Sequence, residues 1–296
     1  MKPKLLSSAA FCLVLYFSLL GAPAAEGLRP YVLAWQGEAA LETVVENSKR
    51  SMKALGFELM GHYQPMRDTH ILVVTAPLLR KMAVAEKNAI FLATQSVAIR
   101  RVAGEVRVSY QNPDYYRRAY RVEADMAPLR QAFQASLGRV REYGSENGLS
   151  LKRLQHFQYG YGMESFEDQL QLASFADQET AVQAIEAGFG RHAGFLERIY
   201  RLDLPEAGAN VFGVSMLVGK GADAELHEVF GGGDFSHASQ LPYKLVVSMG
   251  SVWALHPRFQ LALNFPDTRM VGAHRSAVWR QVPEEIHLML KRLASE

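Results

Sequence analysis

Six sequence patterns occur twice along this chain in the same order, and that recurrence constrains the fold more than any other feature. "SVAIRRVAGEVRVSYQNPDY", Ser96 to Tyr115, carries the alternation of a hairpin around the turn Ala103-Gly104. About 155 positions later "SVWALHPRFQLALNFPDT", Ser251 to Thr268, returns to the same Ser-Val opening and Pro-Asp close. An internal repeat has to be settled first, because missing one misassigns the whole architecture.

In the first half, Tyr31–Gln36 has strand composition. Leu41, Val44, Val45, Met52 and Leu55 then mark one face of a helix that stops at Gly56, with Phe57 just beyond. Strands are expected over Phe57–Tyr63 and Ile71–Thr75. A hairpin follows over Asn88–Val102 and Glu105–Gln111, and a helix starting at Pro128 and reaching about Tyr143 closes the unit. The second half offers a strand at Leu170–Phe175 and a helix from Glu179 to about His192 with Val182, Ile185 and Phe189 on one face. Gly194-Phe195 repeats the stop. Then come a strand at Val211–Val218, a hairpin over Tyr243–Leu255 and Phe259–Asn264, and a helix over Pro283–Leu293. The expected class is α+β: two tandem domains, each a small sheet with helices on one side.

The hairpin register carries a choice. Ser96 to Pro113 spans 17 positions and Ser251 to Pro266 spans 15. A two-residue difference keeps every side chain on its face, so Val106, Val108 and Tyr110 would match Phe259, Leu261 and Leu263. In the competing register Leu241-Pro242 begins the hairpin, Gly250 is its turn and Pro257 its end. The first is preferred because it also aligns Pro283 with Pro128.

Four segments result: 1–24, a signal peptide; 25–145, the first domain; 146–168, a linker whose turn residues and aromatics pack rather than flex; and 169–296, the second domain. The halves part company before the hairpin. The first has the compact Ala76–Ala89, the second the longer, glycine-rich Gly219–Pro242.

The helix ending in Gly56-Phe57, the apolar strand after it and the "SVAIRRVAGEVRVSYQNPDY" hairpin resemble the family of domains of unknown function numbered 302. The resemblance is closer over residues 38–143, while the second half departs in its long loop and shortened hairpin. It implies small prokaryotic α+β domains, single or tandem, and brings no reaction and no catalytic residues.

Lys2 and Lys4, the apolar run Leu5–Leu20 and Ala22-Pro23-Ala24 have the three parts of a secretory signal. The single cysteine, Cys12, lies inside it, so the exported chain has none. Disulfides, thiol nucleophiles, iron–sulfur clusters and cysteine zinc sites are thereby excluded, and a periplasmic location is expected without stable membrane insertion. The formal charge of +2 rests on Lys2 and Lys4. A neutral exported chain has no net pull on nucleic acid, which leaves an unknown small molecule or a periplasmic protein as partner.

Chemical motifs are sparse. Gly219-Lys-Gly-Ala-Asp-Ala224 imitates a dinucleotide fingerprint, yet no second strand ending in an acid follows it, so it is taken as a plain loop. His227-Glu228 opens a zinc-protease motif that fails at Gly231. His227, Asp234 and His237 could instead converge on zinc or another transition metal. Met60, His62, Met66 and His70 supply thioethers and imidazoles suited to copper. Gly213-Val-Ser215-Met-Leu217 lacks the second glycine of a nucleophile elbow. Phe157, Tyr159 and Tyr161 are assigned to interdomain packing. The leading expectation is a non-catalytic binding or interaction protein, with metal handling second and an enzyme with a site at the domain boundary third. The expected face is where Ala76–Ala89 and Gly219–Pro242 meet the domain boundary.

Overall fold

The computed structural model describes residues 27–230, 237–268 and 273–295; the signal-peptide assignment therefore lies outside the described residues. In the first half, strand β1 (Tyr31–Gly37) leads to helix α1 (Leu41–Ala54). Its buried residues Leu41, Val44, Val45, Ser48 and Met52 recur at helical spacing. Gly56 follows its cap at φ +84°, and Gly194, at φ +86°, lies in the turn after the second-half helix that ends at Arg191. A side chain is strained in that region, which is why glycine stands in both turns.

Strands β2 (Glu58–Met66) and β3 (Thr69–Thr75) come next, then α2 (Pro77–Ala85) and a 3-10 turn over Lys87–Leu92. β4 (Gln95–Val102) and β5 (Glu105–Gln111) form the hairpin. The Asn112 side chain accepts from the backbone N–H of Asp114 and starts α3 (Pro113–Ala119), where Pro113 occupies the first turn. α4 (Ala127–Leu137) and the short β6 (Arg141–Tyr143) close the half. The helix expected to reach Tyr143 thus stops early, because Gly138 at φ +94° breaks it and Arg141–Tyr143 pairs with β1. The strand expected from Asn88 begins only at Gln95 for a similar reason, since Lys87–Leu92 coils as a 3-10 turn.

After α5 (Leu151–Gln155), the second half runs β7 (Leu170–Ser174), α6 (Gln178–Arg191), β8 (Leu196–Leu204), β9 (Ala209–Met216), α7 (Asp223–Phe230), β10 (Tyr243–Ser248), β11 (Ser251–Ala254), α8 (Pro257–Asn264) and α9 (Ala273–Ala294). The fold is α+β, with one antiparallel sheet in each half. The first sheet has the order β2-β3-β4-β5-β1-β6. The second, read from its β8 edge, has the order β8-β9-β10-β11-β7. Its strands follow one another as the first five of the other sheet do.

Here the preferred hairpin register is corrected. Met249 and Gly250 both take positive φ, as Ala103 and Gly104 do, giving a tight two-residue turn that pairs Ser248 with Ser251. The second hairpin therefore ends before Pro257, as the competing register has it. Phe259–Asn264 is helix α8, with Pro257 in its first turn and His256 as its cap. Phe259 and Leu261–Asn264 are buried while Arg258 and Gln260 are half-covered, so the helix begins with a strand-like alternation and ends in a buried run that carries no helical period. Pro283 correspondingly sits inside α9 rather than at its start.

One continuous apolar core runs through both halves. Segment 146–168 packs on both. Phe166 stacks on Tyr120 and meets Phe91 of the first half, while Phe157 and Phe166 meet Phe259 of the second. The hydroxyls of Tyr115 and Tyr31 donate to the carbonyls of Leu263 and Asn264, and that of Tyr116 donates to Asn264 Oδ1. Tyr115 and Tyr31 of the first half thus satisfy carbonyls that the C-terminal turn of α8 leaves open, and Tyr116 holds the Asn264 side chain. In return Lys244 Nζ on β10 donates to the carbonyls of Phe91 (2.8 Å) and Thr94 (2.7 Å), and the hydroxyls of Tyr200 and Thr94 meet at 2.8 Å. No helix of the described residues is long and apolar enough to cross a membrane.

Candidate functional site

Two cavities open along the junction. The larger, of about 1280 Å³, lies between β6 with Gly144–Glu146 on one side and the end of α7, Phe265–Thr268 and α9 on the other. Its wall is a row of rings. His237 lies 5.0 Å from Tyr31 and 4.9 Å from Phe265, and Phe230 lies 5.2 Å from Phe265 and 4.9 Å from Trp279. Exposed Val140 and Val229 face the opening. The rim carries charge held in place. Arg29 donates to the carbonyls of Ser145 and Glu146, Arg139 pairs with Glu142, and Asp267 accepts from the Ser145 hydroxyl at 2.9 Å.

The smaller cavity, about 350 Å³, lies between β2 of the first half and β8, β9 and the start of α7. Its floor is Asp223, whose carboxylate accepts from Ser215 Oγ (2.8 Å), Tyr63 OH (2.8 Å) and the Met216 backbone N–H (3.2 Å). Burial pushes the Asp223 carboxyl up to about 6, against the opposing pull of these three donors. Ionisation at this position opposes folding, so this group's contribution to stability falls as pH rises from 3.8 through about 6.

The residues singled out from sequence fare unevenly. Gly219–Pro242 borders both cavities, through Asp223 and Ala224 in one and Val229, Phe230 and His237 in the other. Ala76–Ala89 lines neither; its helix α2 packs at β8, with Arg80 held by Glu58. Of His227, Asp234 and His237, the His227 side chain and all of Asp234 lie outside the described residues, and the His237 ring sits among Tyr31, Tyr143 and Phe265.

Met60 places its sulfur 3.9 Å from Arg80 Nη2, while His62 Nε2 lies 2.8 Å from His70 Nδ1 with the rings stacked. His70 Nε2 in turn meets the Gln64 amide at 2.8 Å and Glu42 at 3.3 Å. Partial burial, then the charges of Lys49 and His70, push His62 below the ordinary imidazole value. Among the described residues no group of three or more His, Cys, Asp or Glu is placed to hold a metal ion. Phe157 is buried and Tyr159 stacks on Trp279, whereas Tyr161 is fully exposed.

Asp223 and Lys244 escaped the sequence reading. Asp223 lies within the glycine-rich stretch taken as a plain loop, where an acid in a first helical turn looks like ordinary dipole chemistry. Lys244 sits at one polar position of a strand, and nothing local shows that it points into the junction. No family model, curated protein or solved structure matches this chain.

Proposed function

We propose that the protein is an exported, periplasmic binding protein with no reaction of its own, built from two copies of one α+β unit, and that its ligand enters the larger junction cleft. The observation that carries this reading is the cleft itself, about 1280 Å³ backed by rings and rimmed by fixed charges. Ligand sites are concave and combine apolar walls with placed polar groups, and this cleft joins its rings to a more polar rim. The common strand order of the two sheets supports the repeat, and the resemblance of residues 38–143 to the domain family numbered 302 supports a prokaryotic setting.

The test uses 8-anilinonaphthalene-1-sulfonate, an aromatic body carrying one anionic group. Native protein is expected to bind it saturably at one site. Val140→Asp with Val229→Asp, both at exposed positions, is expected to weaken binding by about tenfold or more, by putting charge on the apolar lip. Absent saturation, or equal affinity in the double variant, sinks the reading.

Copper or zinc handling is the second reading, and the direct contact of His62 with His70 favours it. Melting with and without each metal tests it. A rise in Tm that His62→Ala removes supports it, and no rise in the native protein disposes of it.

A further inference from the structure

Asp223 is the one buried carboxylate among the described residues. Its three hydrogen bonds come from two hydroxyls and a backbone amide, none of them charged. Other partly covered carboxylates here have a guanidinium: Asp114 has Arg130, Glu142 has Arg139 and Glu164 has Arg258. A buried carboxylate without a counter-ion is costly, and proteins ordinarily pair one. The smaller cavity opens on this carboxylate. Across the β8–β9 ladder Glu197 stands opposite Ser215, the residue bonded to Asp223, so both acids sit on one face.

Among the described residues no lysine or arginine lines this cavity. His62, at its edge, is pushed below its ordinary value and adds no positive charge at neutral pH. Glu197 adds its own smaller push to the raised Asp223 carboxyl, so the two acids repel where a cation would relieve both. The remaining wall combines apolar Pro65, Met216, Leu217 and Ala224 with the polar Gln64. A volume of about 350 Å³ exceeds what a bare metal ion fills, and no metal-holding group of three ligands is present among the described residues.

We propose that this cavity binds a small organic ammonium ion, its N–H groups on the carboxylates of Asp223 and Glu197 and its alkyl part against Pro65, Met216 and Leu217. Ammonium donors supply the missing charge, and the apolar wall selects an alkylammonium over an inorganic cation.

The experiment titrates full-length protein with n-butylammonium chloride, with n-butanol, sodium butyrate and potassium chloride as controls, followed by calorimetry and by Tm. Binding is expected for n-butylammonium alone. Glu197→Gln, at an exposed position, is expected to weaken it several-fold, and Asp223→Asn by about tenfold or more. The Asp223 carboxyl, followed by carbon NMR, is expected to titrate at lower pH when the ammonium is bound, which reads the contact even if Asp223→Asn fails to fold. Equal binding of butanol, undiminished binding to a folded Asp223→Asn, or an unmoved carboxyl titration overturns the proposal. This cavity is separate from the larger cleft, so such a failure leaves the anilinonaphthalene result standing.

Discussion

Replacing Phe259 by alanine is expected to lower the stability of the whole molecule by about 3–5 kcal/mol, the usual cost of emptying an aromatic site in a closed core. Phe259 is 1% exposed and belongs to α8 of the second half. Its ring neighbours lie elsewhere: Tyr120 in the first half at 6.4 Å, and Phe157 and Phe166 of the connecting segment at 6.0 Å each. Three parts of the chain lose contacts together, so the variant is expected to melt in one transition on the order of 10 °C lower. Phe195→Ala is the counterpart. That ring is 53% exposed, and its loss is expected to change stability by no more than about 0.5 kcal/mol. Thermal and urea melts of both variants measure this. Two separated transitions in Phe259→Ala, or a loss under about 1 kcal/mol, contradict a core shared by the halves.

Lys244 sets the second large effect, and it is visible only as pH changes. Its ammonium meets two backbone carbonyls and no carboxylate, and burial pushes it from the usual 10.5 down to about 7. The neutral amine keeps two N–H groups, enough for both carbonyls. Between pH 7 and 10.5 the unfolded chain therefore holds a proton that the folded chain has released. Stability rises with pH through that window, by at most about 1.4 kcal/mol per pH unit, less whatever the partial exposure of the side chain screens. Lys244→Met removes the titration, so the difference between wild type and variant is expected to grow in favour of wild type as pH climbs from 7 toward 10. Urea midpoints measured across that range decide it. Parallel pH profiles for the two proteins show that Lys244 keeps its ordinary value and faces solvent.

Helices with one apolar face were legible because spacing alone reveals them. α1 buries Leu41, Val44, Val45 and Met52, four of the five residues whose periodicity marks it, while Leu55 forms its C-cap and stays exposed. The two glycines after the helices were legible too, since a positive φ favours that residue whatever surrounds it. Yet Phe57 after the first stop is buried and Phe195 after the second is exposed. The local signal fixes the turn and leaves open what covers the next side chain.

The second hairpin shows where pattern fails. Phe259, Leu261 and Leu263 alternate as a strand would, but α8 also buries Ala262 and Asn264 against the first half and the helices around it, leaving only Arg258 and Gln260 partly covered. A segment surrounded by protein has no polar face to report its period. The turn residues Met249-Gly250 held the better clue, because backbone conformation at a tight turn is a local property.

The sites divide along the same line. The glycine-rich stretch before Pro242 was legible as the place where the halves differ, and it does border both cavities. That Asp223 is buried under Tyr63, 160 positions away in the chain, is a fact of assembly. So is the meeting of Lys244 with Phe91, 153 positions off. Sequence alone determined the α+β class, the apolar faces of α1 and α6 and the first hairpin's turn, since each depends on neighbours within a few residues. Only the tertiary structure decided which hairpin register holds, which aromatic rings are buried and which two charged groups lost their water, because burial belongs to the packed whole.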